Sequence, residues 1–213
     1  MPEYLDIETW HRRDLYNFFR NYQNPYFNIC TRVEITKLSE SVIAREDASL
    51  YLAYHYFVLR AANETEPFHY RLEGDRIIIY ETINGGTTVL LANETFTYAY
   101  FNYYPDFTRF VRETSASIDK VKAEGSLKPT MRYDLMFFTT LPWISFTSFA
   151  HARTPGRGES VPRIAFGKFV KENERIYLPI SVEVHHALMD GLHVGNFLMR
   201  LEEMLDNPTQ WMS

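Results

Sequence analysis

The stretch Ile176-Tyr177-Leu178-Pro179-Ile180-Ser181-Val182-Glu183-Val184-His185-His186-Ala187-Leu188-Met189-Asp190-Gly191 decides the fold. Its first ten residues alternate between apolar and other side chains. Because strand side chains alternate between faces, this pattern predicts a strand with one buried face over residues 176–185. Beyond the glycine, apolar residues recur at helical spacing and predict an amphipathic helix. They are Val194, Phe197, Leu198, Leu201, Met204 and Leu205.

His186 stands at the strand-to-helix turn, four residues before Asp190. If the strand continues, His186 shares the apolar face and His185 points the other way. An apolar environment disfavours the imidazolium and favours the neutral ring that a general base needs. A core histidine with a satisfied hydrogen bond fits the same pattern. Asp190 stands where a helix N-cap falls, and Gly191 is expected to give the turn a conformation that other residues resist.

The pattern H-H-x-x-x-D-G at residues 185–191 resembles the chloramphenicol acetyltransferase family and a wider superfamily of acyltransferases. Three further segments resemble that family in order and spacing. Trp10-His11-Arg12 is similar to its W-x-R element. Leu141-Pro142-Trp143-Ile144-Ser145-Phe146-Thr147-Ser148-Phe149 is similar to its P-W-x-x-F-x-S-F segment, and Phe166-Gly167-Lys168 to its Gly-Lys pair. The resemblance runs from residue 9 to residue 205 and covers nearly the whole chain.

The resemblance implies the fold class and the assembly. The expected fold is α/β, a two-layer sandwich of a mixed β-sheet with packed helices. The family assembles as a trimer whose active sites lie between subunits, so a homotrimer is expected. No linker, repeat or low-complexity tract divides the chain, and we expect one domain over residues 1–213.

The resemblance also implies an activity. It is acetyl-CoA-dependent O-acetylation of a hydroxyl of chloramphenicol, and hence antibiotic resistance. His186 would be the general base, and Ser148 would stabilise the oxyanion. Asp190 would pair with Arg12 and, with Gly191, support the turn that carries the base. Acetyl-CoA is the implied co-substrate.

Four residues are predicted to bind ligands through the same resemblance. Lys168 would meet a phosphate of coenzyme A, although a solvated lysine at a strand edge fits equally well. Phe19, Phe27 and Phe96 fall where the family has aromatic residues that line the antibiotic site. Each of these three, taken alone, is also compatible with ordinary core packing.

Two departures from the family pattern leave the acceptor open. Ala165 stands where the family usually has a threonine before Gly-Lys. Residues 150–162 carry Arg153, Arg157 and Gly158 in place of an apolar and asparagine-rich stretch. One alternative is therefore a same-fold acyltransferase for a different small alcohol or amine. The other is a non-catalytic protein that binds a small molecule.

Composition excludes several classes of function. The formal net charge of −5 argues against a nucleic-acid partner. No stretch approaches the roughly 20 apolar residues of a membrane span, and the first 15 residues lack the apolar segment of a secretion signal. Cys30 is the only cysteine, so no intrachain disulfide forms, and a cytoplasmic location fits. His185, His186 and His193 lack the spacing of a known metal site, so no metal is predicted.

Local patterns predict the remaining elements. Helices are expected at 9–22, 40–62 and 105–124, and a hairpin at 68–72 and 76–80. The glycines at 85 and 86 are expected to break the chain, and residues 154–160 to be flexible. Further strands are expected at 28–35, 87–91, 95–103, 133–140, 144–151 and 164–170.

Overall fold

The computed structural model describes residues 3–45, 47–130, 132–153 and 159–212. The helices are α1 (Arg13–Phe19), α2 (Thr36–Ile43), α3 (Leu50–Asn63), α4 (Phe107–Glu124) and α5 (Gly191–Asp206). The strands are β1 (Glu3–Tyr4), β2 (Tyr26–Glu34), β3 (Tyr70–Glu73), β4 (Arg76–Ile79), β5 (Asn84–Leu90), β6 (Phe96–Phe101), β7 (Leu135–Thr140), β8 (Arg163–Phe166), β9 (Val170–Glu172) and β10 (Arg175–His185). Most of the segment expected to be flexible, including Arg157 and Gly158, lies outside the described residues.

The main sheet has the strand order β2-β10-β8-β7-β5-β6, with β9 also paired to β10. It is mixed, because β7 runs parallel to both of its neighbours and the other pairs are antiparallel. A smaller sheet has the order β1-β4-β3. Helices pack on the main sheet, and this confirms the expected two-layer α/β class.

The two faces of the main sheet differ in chemistry. Along β10, Ile180, Val182 and Val184 join the buried core on the helix face. The intervening Ser181 and Glu183 point to the opposite face. Register continues this polar row at Glu183, which pairs with Arg163 on β8, whereas Ser181 pairs with Ala165. The non-helical face therefore carries the polar and aromatic side chains from which a site is built.

The expected strand at 144–151 is wrong, because this segment is irregular in the structure. Isolated hydrogen bonds hold its backbone, instead of the regular hydrogen bonds between two strands. The carbonyl of Ile144 accepts a hydrogen bond from the Lys168 amide at 2.8 Å, and that of Phe149 accepts one from the Asn28 side chain. The His151 amide donates to Glu183 at 3.4 Å. Polar side chains of the sheet thus replace a neighbouring strand.

The expected break at the two glycines is also wrong, because both lie within β5. A Cβ atom at Gly85 would lie 2.1 Å from the ring of Phe101, so only glycine leaves room for that ring. The helix expected at 40–62 is divided into α2 and α3, and Ser49 caps the second by accepting a hydrogen bond from the Leu52 amide at 3.2 Å.

Candidate active site

His186 lies in the turn directly after β10, and its backbone amide donates to the Pro25 carbonyl at 2.7 Å. Its ring Nδ1 lies 3.2 Å from the Met189 carbonyl oxygen. Because a carbonyl only accepts, this hydrogen bond places the proton of the neutral ring on Nδ1. The Nε2 lone pair is then available to accept a proton.

Two aromatic rings hold the imidazole of His186. The Phe19 ring is stacked on it with a centroid distance of 3.8 Å and an angle of 10°. The Phe27 ring is tilted against it at 4.7 Å. Phe19 comes from the end of α1 and Phe27 from β2, so separate elements fix the ring between them. The structure thus brings together three of the residues that the sequence singled out.

Arg12 and Asp190 form an ion pair beneath this turn. The Asp190 side chain also caps α5, accepting from the Leu192 amide at 3.1 Å, and His193 completes a capping box. Burial opposes ionisation of Asp190, but Arg12 and then His193 outweigh it and lower its pKa. The aspartate is therefore charged near neutral pH, and it joins the first helical segment to the turn that carries His186.

The expectation for Gly191 is wrong, because this residue is the first of α5 and has no left-handed backbone. A Cβ atom there would meet no atom within 4 Å. The turn is shaped instead by the Asp190 cap and by hydrogen bonds from Leu188 and Met189 to the His185 carbonyl.

His185 has a different environment from its neighbour. It is 2% exposed, lies edge-on to Tyr26 at 5.2 Å, and accepts a hydrogen bond from the Ala187 amide at 3.2 Å. Burial, together with the charge of Arg153, lowers its pKa to about 4. His185 is therefore a neutral, enclosed ring, and of the adjacent pair only His186 is placed to meet a substrate.

A large groove opens on the non-helical face, over β5, β6 and β7. We call it the aromatic groove; its volume is about 770 Å³. Phe96, Tyr98, Phe137 and Trp143 give it apolar walls, and Thr139 supplies a hydroxyl. Phe96, predicted to bind the acceptor, lines this groove and is not among the rings that contact His186.

A second groove of about 580 Å³ lies between α3, α4 and the sheet, and we call it the helix-side groove. Tyr51, Tyr54, Lys122 and Phe169 line it. Thr88, Leu90, Thr140 and Trp143 line both grooves, so the two spaces adjoin. Lys168 is exposed and directly precedes Phe169, which lines the helix-side groove.

Ser148 and Thr139 occupy unlike positions. Ser148 is exposed in the irregular segment and lines neither groove. Thr139 lies on β7 in register with Ala165 of β8 and lines the aromatic groove. Sequence reasoning did not single out Thr139; its signal was its place at the end of a buried strand, just before Leu141-Pro142-Trp143.

No helix in the described part of the chain is long and apolar enough to cross a membrane. Likewise, residues 3–45, 47–130, 132–153 and 159–212 contain no cluster of three or more histidine, cysteine, aspartate or glutamate side chains that would hold a metal ion.

The fold is that of two-layer acyltransferases. A solved structure of dihydrolipoamide acetyltransferase from Azotobacter vinelandii matches 93% of this chain and 88% of its own with a TM-score of 0.68. At 16% identity, this likeness shows the fold alone.

The family model for chloramphenicol acetyltransferase matches residues 3–202, and the chain belongs to that family. Chloramphenicol acetyltransferase 2 of Escherichia coli is 29% identical over 206 residues, which are 95% of this chain and 96% of the relative. A solved chloramphenicol acetyltransferase structure is 31% identical and covers 96% of this chain and 100% of its own, with a TM-score of 0.84.

Proposed function

We propose that this protein transfers the acetyl group of acetyl-CoA to a hydroxyl of a small acceptor, with chloramphenicol as the reference acceptor. Relatives at 29–31% identity over nearly the whole chain bear the name of that enzyme. The single observation that carries the mechanism is the Nδ1 hydrogen bond of His186 to Met189. It leaves Nε2 as a base on a ring held by Phe19 and Phe27.

The proposed reaction is a direct transfer. His186 Nε2 takes the proton of the acceptor hydroxyl as its oxygen attacks the thioester carbonyl. The tetrahedral intermediate carries its negative charge on the former carbonyl oxygen. Its collapse breaks the carbon–sulfur bond, and the coenzyme A thiolate takes the proton back from His186. The products are the acetyl ester and coenzyme A, and the histidine returns to its starting state.

Two hydroxyls are candidates to donate a hydrogen bond to that oxyanion. The sequence motif favours Ser148, whereas position favours a threonine of the aromatic groove. Of these threonines we consider Thr139, which lies in register with Ala165 on β8. Because a donor must lie within hydrogen-bond distance of the developing charge, a groove hydroxyl is the better candidate. We therefore assign the role to Thr139 and retain Ser148 as the alternative.

The two adjoining grooves suit the two substrates. The aromatic groove offers flat apolar walls, including Phe96, to an aromatic acceptor. The helix-side groove has Lys122 in its lining, and Lys168 directly precedes the lining residue Phe169; we propose that these cations meet the phosphates of acetyl-CoA. Trp143 lies between them, where the acetyl group would meet the hydroxyl.

The base lies far from Thr139 within one chain. Thr139 is in register with Ala165, which pairs with Ser181 on β10. His186 lies five residues beyond Ser181, about 16 Å along the strand direction at about 3.3 Å per residue. A second copy of the chain would bring a base closer to Thr139, and we propose a homotrimer with its sites between subunits, as the family resemblance implies.

The proposal includes one domain over residues 1–213 and a cytoplasmic location. A single cysteine, Cys30, needs no oxidising compartment. Resistance to chloramphenicol follows if the acceptor is the drug itself.

Release of the coenzyme A thiol tests this function. Purified protein is mixed with acetyl-CoA, with and without chloramphenicol. We expect thiol release only when the acceptor is present, with one acetyl ester formed for each thiol released. Tight acceptor binding without thiol release would establish a non-catalytic binding protein instead.

A further inference from the structure

Residues 149–152, which we call the wall segment, border the aromatic groove without belonging to a strand. His151 and Ala152 line the groove, and the backbone that leads to them is irregular. An irregular backbone must find partners for its amides and carbonyls outside the regular hydrogen bonds of a sheet. The side chains that supply these partners therefore determine where this part of the groove wall lies.

Asn28 on β2 anchors the first residue of the wall segment. Its Nδ2 donates a hydrogen bond to the Phe149 carbonyl, and its Oδ1 accepts one from Ser181 Oγ at 2.8 Å. Because a carbonyl only accepts, the NH2 group of Asn28 must face Phe149, and the Ser181 hydroxyl supplies a donor to the amide oxygen. One amide side chain thus connects β10 to the wall segment.

Glu183 on β10 anchors the wall segment two residues further on. Its Oε2 accepts a hydrogen bond from the His151 amide at 3.4 Å, and its Oε1 accepts one from Arg153 Nε at 2.6 Å. Burial opposes ionisation of Glu183, yet His151 and Arg153 lower its pKa to about 2. Glu183 is therefore a charged carboxylate, and such hydrogen bonds are stronger than those between neutral groups.

The two anchoring side chains are neighbours in the sheet. Glu183 pairs directly with Asn28 in the register of β10 and β2. The next pair places Val184 opposite Phe27, whose ring contacts His186. The strand pair that carries the base and one of its supporting rings therefore also carries both anchors of the wall segment.

Aromatic rings pack the same segment against the sheet. The Phe149 ring lies edge-on to the His151 ring at 4.7 Å and is tilted against the Phe146 ring at 5.5 Å. Phe146 lies over Gly167, where a Cβ atom would come within 3.2 Å of the ring and 3.0 Å of the Ile144 carbonyl oxygen. A hydrogen bond to Phe149 therefore also fixes the ring that contacts His151.

We propose that Asn28 and Glu183 are positioning residues, which hold the wall segment where the aromatic groove fits its acceptor. The inference rests on the proposed function for the identity of that acceptor, chloramphenicol. Neither residue lines the groove, so both act through His151 and Ala152. A groove wall contacts the acceptor before and during the transfer, and its displacement weakens both states alike. The effect should therefore appear in KM for the acceptor and leave kcat nearly unchanged.

The variant Asn28→Leu tests the first anchor. Leucine is similar in size to asparagine but cannot donate to the Phe149 carbonyl. We expect KM for chloramphenicol to rise about 3- to 10-fold, the effect of one lost hydrogen bond. Neither kcat nor KM for acetyl-CoA should change more than about twofold. A fall in kcat at unchanged KM, or an equal rise in both KM values, would contradict the proposal.

Asn63→Leu is the matched control for a loss of stability. Asn63 at the end of α3 donates to the Leu59 and Ile83 carbonyls at 2.9 and 2.8 Å and accepts from the Ile83 amide at 2.8 Å. It lines neither groove. Asn63→Leu should lower Tm at least as much as Asn28→Leu and leave KM for chloramphenicol unchanged. A similar rise in KM in both variants would show that Asn28 acts through stability alone.

A double variant tests whether both residues hold the same segment. Glu183→Gln keeps the shape of the side chain, but its single amide oxygen cannot replace both carboxylate oxygens, and KM for chloramphenicol should rise about two- to fivefold. Combined with Asn28→Leu, it should raise KM by less than the product of the two single effects, because the effects of residues that act on one element are not additive. The full product would overturn the shared role.

Calorimetric binding of chloramphenicol without acetyl-CoA separates this inference from the proposed reaction. If Asn28→Leu raises the Kd and Asn63→Leu does not, but no acetyl ester forms in the unsubstituted protein, the positioning role stands and the transfer reaction fails. If the unsubstituted protein acetylates chloramphenicol and Asn28→Leu changes neither KM nor Kd, the reaction stands and the positioning role fails. Absence of both binding and acetylation in the unsubstituted protein would overturn both.

Discussion

The surroundings of His186 and the aromatic groove are built in opposite ways. His186 is held by the Met189 carbonyl, by the rings of Phe19 and Phe27, and by the Arg12–Asp190 pair beneath its turn. The groove is open, and it is lined by aromatic side chains together with His151, Glu159 and Arg163. A base must be held in one orientation and tautomer, whereas a binding groove must keep unused contacts for its ligand. We therefore propose that the surroundings of His186 serve proton transfer and that the aromatic groove selects the acceptor.

Removal of the base should give the largest loss of activity, and it tests the role assigned to the surroundings of His186. His186→Ala should lower kcat about 10²- to 10⁴-fold, the range for one positioned general base. Steady-state thiol release measures it, with His11→Ala as the control because His11 is exposed. A loss of less than about tenfold in His186→Ala would remove this residue from the reaction.

The oxyanion donor should give the next largest effect. Thr139→Val keeps the shape of the side chain and removes its hydroxyl, and should lower kcat about 10²- to 10³-fold. Thr139→Ser should retain most of the activity, because it keeps the hydroxyl. Ser148→Ala is the matched comparison and should have little effect. The reverse result, with Ser148→Ala inactive and Thr139→Val active, would restore the assignment that the sequence motif favours.

The Arg12–Asp190 pair should give a smaller effect, on both activity and stability. Asp190→Asn keeps a good N-cap residue but leaves the Arg12 guanidinium without its charge partner. We expect up to about 3 kcal/mol of lost stability, since Asp190 is partly exposed, and about a tenfold loss in kcat with little change in KM. Denaturant unfolding and steady-state kinetics measure the two effects.

The double variant Arg12→Met with Asp190→Asn separates stability from positioning. Removing both charges should recover part of the lost stability, because no buried charge remains unpaired. If the pair positions His186, kcat should stay low in this variant. Recovery of kcat together with stability would show that the pair acts on the fold alone.

The smallest expected effect is on the pH dependence of the free energy of unfolding, and it involves a buried histidine. His55 on α3 is buried, and burial lowers its pKa to about 4 from an ordinary 6.5. Between these values the unfolded chain binds more protons than the folded one. The contribution of neutral His55 to the free energy of unfolding is therefore complete above pH 6.5. It is lost as the pH falls toward 4, and the total loss is about 3 kcal/mol.

His55→Leu should flatten this part of the stability profile. Urea unfolding between pH 7.5 and 4.5 measures it, with His11→Leu as the exposed control. An unchanged slope in His55→Leu would mean that other groups, such as His185, account for the acid sensitivity.

The sequence predicted the elements whose patterns are local. The alternation along β10 and the helical period of α5 placed the turn of His186, and the hairpin and the Asp190 cap were also found. The irregular segment at 144–151 was missed, because Asn28 and Glu183, distant in sequence, hold its backbone. The glycines of β5 were misread, because their role depends on rings of neighbouring strands: Phe101 beside Gly85, and Tyr100 and Phe137 beside Gly86.

The candidate site also contains residues that the sequence predicted and residues that it did not. Phe19 and Phe27 were predicted to bind the acceptor, and Arg12 was predicted to pair with Asp190. The structure places the two rings against His186 and Arg12 beside Asp190. Thr139 and the pairing of Arg163 with Glu183 were not found, because they depend on which side chains of β7, β8 and β10 share a face. Residue type and spacing do not reveal such cross-strand neighbours until the register is known.

A mixture of two inactive variants tests the central claim, that base and groove come from different copies of the chain. One chain carries His186→Ala, and the other carries Thr139→Trp, which fills the groove. The two chains are co-expressed, each with a different affinity tag. Trimers that carry both tags are then isolated and assayed. Sites between subunits predict that about one third of the sites regain both an intact base and an intact groove, so about one third of the activity returns. Mixed trimers with no more activity than their parents, or a fully active monomer, would contradict the claim.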